Sequence, residues 1–323
     1  MYDSLLTLDF LSAAIRLSTP VILAAMGAAV TGKAGILNFA LEGMMLLGAF
    51  LAVAVSYSAG SAGLGVLAAV ISGALLAWFF AVLYLRYHVD IIVLAIAFNI
   101  LVAEVTIFFL QGFFGVSGAF MNERIEALPR LDLAWIEAIP VLGPILNGYN
   151  WIVYGAWISV VATYIGLTRT TFGRRIRATG ENIAAGRSAG VDVNRVQMIS
   201  LLISGALAGL AGAYLSVGHL AMFSVGMSGG RGFSALVAAL FAGNHPIGTF
   251  IAALFFGVSD GLAMRLQGLG VLDPNLVLML PHLATLLVLT VMGLRRYMRG
   301  NLKRRRFREQ HLEDLEGYSG EAT

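Results

Sequence analysis

An all-α, polytopic membrane helix bundle of about nine transmembrane helices, with a broken or re-entrant segment near 219–243, is the fold class predicted by this sequence. Three observations predict it. Only 12% of the residues are charged, about half the roughly 25% of a soluble domain, while 59% are hydrophobic. Near-continuous apolar runs recur at the ~20-residue length an α-helix needs to cross a bilayer, rather than the alternating pattern of a barrel strand. The basic residues gather in the polar gaps between those runs.

The spans follow in order. The first runs over about 10–30, with Pro20 as a kink and Arg16 near an end, from which it can snorkel to headgroups. The second, about 36–57, sets Asn38 and Glu42 four residues apart, on one helical face. The third covers about 65–85. The fourth covers about 91–110 and contains Asn99 and Glu104, read as buried polar groups in need of partners. Residues 112–149 form an external loop with four carboxylates and three prolines, and a short amphipathic helix is expected around 131–139. The fifth span, 151–167, places Trp151, Tyr154 and Trp157 as interface anchors. The sixth, about 196–217, carries Gly205, Gly209 and Gly212 on one small face suited to close helix packing. A glycine-rich break with Arg231 precedes an apolar run of 233–242, too short for a straight span. Spans at about 247–266 and 276–294 complete the count.

The polar stretch 169–195 sets the orientation. Its six arginines face only two carboxylates, Glu181 and Asp192, and basic loops stay on the cytoplasmic side. Glu181 to Ala189 reads as a short helix, with Gly180 ending the turn before it and Gly190 as its left-handed cap. An odd span count then puts the N-terminus outside and the C-terminus inside. Sixteen of the twenty-one basic residues fall inside, eight of them in the tail 295–323, which is basic, then acidic. That tail reads as a lipid-facing stop-transfer cluster, not a nucleic-acid site. The membrane domain is 1–294.

The chemistry that is missing narrows the function. There are no cysteines, and the five histidines are scattered. Gly27–Ala34 approaches a phosphate-binding loop but lacks the metal-binding hydroxyl and follows a helix, not a strand. No catalytic, metal or cofactor constellation is recognisable. Asn38, Glu42, Asn99 and Arg231 are candidates for a solute pathway. Intramembrane polar groups of this kind also serve as structural hydrogen bonds.

Four stretches in order resemble bacterial ABC-transporter permeases for nucleosides and simple sugars: GKAGILNFALEGMMLLGAF (32–50), RATGENIAAGRSAGVDV (177–193), SGALAGLAGAYLSVG (204–218) and GGRGFSALVAALFAGNHPIG (229–248). The LEGMM run (41–45) is similar to that of the shorter of two paired permeases, so a heterodimer is implied. The resemblance implies an importer of the bacterial inner membrane. Such an importer has a separate ATPase that hydrolyses the ATP, a second permease, and an external substrate-binding protein. Arg177, Gly180, Glu181, Asn182, Ala185 and Gly190 would couple to the ATPase, and Phe39, where the family has a small residue, would line the pathway. The alternative is a stand-alone transporter driven by ions through Glu42, Glu104 or Asp260.

Overall fold

Small side chains decide how closely these helices approach. The computed structural model describes residues 8–132, 146–268 and 290. It comprises two units, Met1–Leu262 and Ala263–Thr323. The second is represented among the described residues only by the end of one helix and by Thr290.

Four long helices come first: α1 (Leu8–Lys33), α2 (Leu41–Ala59), α3 (Ala62–Tyr87) and α4 (Ile91–Phe114). Three short strands follow, β1 (Ala119–Met121), β2 (Arg130–Leu131) and β3 (Tyr149–Asn150). Next come α5 (Trp151–Arg169), two short helices α6 (Thr171–Glu181) and α7 (Ile183–Ser188), and α8 (Val193–Ala213). A π-helical turn (Tyr214–Leu220) extends α8 into β4 (Met222–Ser224), before α9 (Arg231–Phe241) and α10 (Pro246–Gly268).

Among the described residues, seven helices are long and apolar enough to cross a membrane: α1 to α5, α8 with its π-helical turn, and α10. The eleven-residue α9 is about 16 Å long, so it stops short of a crossing. The expected span at 276–294 and the tail at 295–323 lie outside the described residues, Thr290 excepted.

α8 is the centre, packed between α1, α2 and α3. A Cβ on Gly205 would run into the Gly73 carbonyl and Ala77, one on Gly209 into the Ala69 carbonyl, and one on Gly212 into the Met45 carbonyl. Backbone therefore meets backbone along two turns, the close approach that lets helices associate without a hydrophobic drive between them.

The stretch expected as an external loop is built from strands. β1 pairs antiparallel with β4, Phe120 opposite Phe223, and β2 with β3, Leu131 opposite Tyr149. Arg130 and Leu131 are thus extended where a helix was expected, and 133–145 lie outside the described residues. Phe114 and Phe120 stack with ring centres 4.2 Å apart, Tyr57 stands 5.2 Å from Phe120, and Phe50 stands 5.3 Å from Phe223. Glu126 ties this layer to the α2–α3 turn: its carboxylate accepts from Ala62 N–H at 2.7 Å, and its backbone N–H donates to Ser56 Oγ at 3.1 Å. The π-helical turn frees carbonyls that the same layer satisfies. Leu128 N–H donates to the Val217 carbonyl at 3.1 Å, and Asn150 Nδ2 to that of Gly218 at 2.7 Å.

Gly209→Ala is expected to destabilise the protein by about 1–3 kcal/mol through overpacking, while Gly155→Ala, on an open face of α5, should be neutral or mildly stabilising. Thermal unfolding in detergent of the two variants checks this contrast.

Candidate functional site

Two helix N-termini meet inside the bundle. The apolar run suggests that α2 starts near 36, but residues 36–40 do not coil. Gly35 is left-handed, at φ +81, and Asn38 holds the rest. Its Oδ1 accepts from Ala40 N–H at 3.1 Å, and its Nδ2 donates to Ser204 Oγ on α8 at 3.0 Å and to Met44 Sδ at 3.5 Å. Before this, Gln197 on α8 donates to the Ala34 carbonyl at 3.3 Å. From Gln197 to Ser204 is two turns of α8, so the extended chain climbs about 10 Å into the bundle between these two ties.

At that depth the opening amides of α2 need acceptors. Asn99 on α4 supplies one: its Oδ1 accepts from Gly43 N–H at 2.8 Å, while its Nδ2 donates to the Phe39 carbonyl at 3.0 Å. Glu42, in the first turn of α2, does the same for α9. One carboxylate oxygen accepts from Gly230 N–H and the other from Gly232 N–H, both at 2.8 Å. A carboxylate at a helix N-terminus also opposes the positive end of the helix dipole. The contact requires Gly232, because a Cβ there would stand 2.5 Å from the Glu42 nitrogen. Arg231 donates from Nη1 to the Met227 and Ser228 carbonyls at 3.3 Å, while its Nε is buried without a partner among the described residues.

The polar stretch folds as two helices divided at Asn182, two residues beyond the Gly180 break expected from the sequence. Thr170 caps α6 through Gly173 N–H, and Asn182 ends α6 and caps α7 by accepting from Ala185 N–H at 3.0 Å. Glu181 is therefore the last residue of α6. Gly190, at φ +76, turns the chain towards α8, whose cap Asp192 accepts from Arg195 N–H at 3.0 Å. Gly180 lies directly on the α1–α2 link: a Cβ there would clash with the Lys33 carbonyl. α7 leaves Ile183, Ala184, Ala185 and Arg187 exposed and buries only Gly186. Arg177 Nε is buried and unpaired among the described residues.

Thus Asn38, Phe39, Glu42, Asn99 and Arg231 do converge on one junction, held by one another's backbone. Asn38 is 0% exposed with its amide fully engaged, so in this conformation it anchors chain and offers nothing to a solute. Phe39 is half-buried, packed against the apolar cluster that α2, α3, α4 and α8 share. Glu104 stands apart, on an exposed face of α4 rather than in the interior. Ser204, Gln197 and Glu126 were not singled out by sequence. Their partners lie 166, 163 and 64–70 residues away, and nothing local marks them. Residues 121–125 with Leu220 and Ala221 line an open cavity of about 620 Å³ beside the strands.

The family described as branched-chain amino acid transport system / permease component matches residues 10–292. The guanosine ABC transporter permease protein NupQ of Bacillus subtilis is 32% identical over 84% of this chain and 88% of its own length. The nucleoside ABC transporter permease protein NupC of Lactococcus lactis is 31% identical over 85% and 89%. A putative glucose ABC transporter permease protein of Haloferax volcanii is 29% identical over 82% and 80%. No solved structure matches. The chain belongs to this permease family.

Glu42→Leu should cost roughly 2–4 kcal/mol by leaving two amides without acceptors, and Glu42→Gln about half as much. Comparing the unfolding temperatures of the two variants tests whether the carboxylate holds α9.

Proposed function

We propose that this member of the permease family forms, with a second and different permease, the transmembrane pathway of an ATP-driven importer of nucleosides. The carrying observation is a continuous line of contacts from an exposed helix to the interior breaks. α7 is fixed to α6; Gly180 of α6 lies on the α1–α2 link; the link leads to Asn38; and α2 begins there with Glu42 gripping α9. A push on α7 is thereby delivered to the two helix ends at the centre of the bundle. The exposed arginine-flanked surface of α6 and α7 suits docking of a separate ATPase, the subunit that binds and hydrolyses the ATP.

Orientation follows with that docking: α6 and α7 are cytoplasmic, the N-terminus is outside, and the strand layer with its cavity meets an external binding protein. The substrate class comes from the names of the relatives and is supported by charge. At the junction one carboxylate, Glu42, and one guanidinium, Arg231, offset each other in formal charge, so no net charge is offered there to select a charged solute. The engagement of both Glu42 oxygens also favours an ATP-driven cycle over an ion-coupled one through this residue. A free sugar remains the neighbouring substrate class, since one relative carries a glucose name.

Ala185→Trp, on the exposed face of α7, is expected to abolish substrate-stimulated ATP hydrolysis by the assembled transporter while leaving its membrane insertion and unfolding temperature unchanged. Retained stimulation would remove α7 from the coupling path. With the parent complex, guanosine or adenosine should stimulate hydrolysis and free glucose should not.

A further inference from the structure

The coupling line leaves Glu104, a charge within a span, unaccounted for. Glu104 lies about 20 Å along α4 from Ile91 and about 15 Å from Phe114, too deep for its short side chain to reach the headgroups. It is exposed, and makes no hydrogen bond or ion pair among the described residues. Around it on the same face lie Ile100, 60% exposed, and Phe108, 69% exposed, with Gln111 two turns on. Among the described spans α4 is the most apolar, at mean hydropathy 2.6, yet the least covered, with only 28% buried.

Lipid suits Ile100 and Phe108 but not Glu104, since ionisable groups at membrane depth face protein or water. The exposed faces of α3 (Leu67, Leu75) and α5 (Ile158, Val161, Ile165) differ in carrying no charge inward of Arg86 and Arg169 in their last turns, as a lipid boundary requires. The occupant of the α4 face must therefore be embedded in the membrane, apolar at its margins, and able to present a hydrogen-bond donor or cation opposite Glu104. A second copy of this chain meets that test less readily: with Glu104 on the two-fold axis, like charges would face each other and oppose each other's ionisation.

We infer that the Glu104 face of α4 is the surface on which the second, non-identical permease packs, with a donor or cationic side chain of that permease opposite Glu104. The inference rests on the permease reading and adds the face and the chemistry of the contact. Benzoylphenylalanine placed singly at positions 100, 108, 75 and 158, in the full chain in its native membranes, tests it. Photo-cross-linked products are then identified by mass spectrometry. The expected result is a cross-link to a different permease of the same family from 100 and 108, and none from 75 or 158. With the probe at 108, Glu104→Lys should eliminate that product and Glu104→Gln should retain it. A cross-link to a second copy of this chain would overturn the proposal. So would a permease captured from 75 or 158 and not from 100 or 108, although the permease reading would stand. Capture of no permease from any of the four positions would also overturn the face, while absence of any second permease from the complex purified from those membranes would remove the paired-permease reading itself.

Discussion

The grip of Glu42 on the first amides of α9 is the interaction on which the interior depends. A helix that starts at membrane depth exposes N–H groups with no water to receive them, and each unsatisfied group is costly. Here a carboxylate receives two of them, and the dipole of α9 stabilises that carboxylate in return. Each partner is untenable alone. The same logic repeats one step away, where Asn99 receives an amide of α2 and returns a donor to the Phe39 carbonyl. Irregular backbone persists inside this bundle because side chains from neighbouring helices complete its hydrogen bonds.

The bundle as a whole was legible in the sequence, because helix length and apolar content are local properties. The glycines of α8 were legible for the same reason: a small face at helical spacing advertises close approach, and the Ala69 and Met45 carbonyls occupy the space those glycines leave. The start of α2 was not. Ile36 to Ala40 is as apolar as a helix, and only the turn formed by Asn38 with Ala40 N–H, and its bond to Ser204, keeps it extended. β1 and β4 are three residues each and pair across about a hundred residues, so neither carries a recognisable alternation. Glu104 was misread as interior because α4 is apolar all round, and such a helix does not declare which side is covered.

The candidate site was legible as a set of residues and not as a set of roles. Asn38, Glu42, Asn99 and the arginine at the break do meet, yet they meet as supports for backbone. The polar stretch between α5 and α8 likewise shows its basic character in sequence. Its division at Asn182 requires knowing that one residue both ends α6 and caps α7. That division matters for coupling. It gives α6 a face fixed on the α1–α2 link and leaves α7 turned outward, so one short stretch both holds the bundle and presents a handle.

The separation between Glu42 and its partners has a consequence for biosynthesis. The carboxylate leaves the ribosome 188 residues before Gly230. At about 5–20 residues per second, that is a wait of roughly 10–40 s. Asn38 waits almost as long for Ser204, 166 residues later. During that interval the second span carries a charge and an amide that no earlier helix satisfies. Insertion of the first half is therefore provisional. It is made permanent only when the glycine-rich break emerges, and retention of early spans at the insertion machinery would bridge the gap.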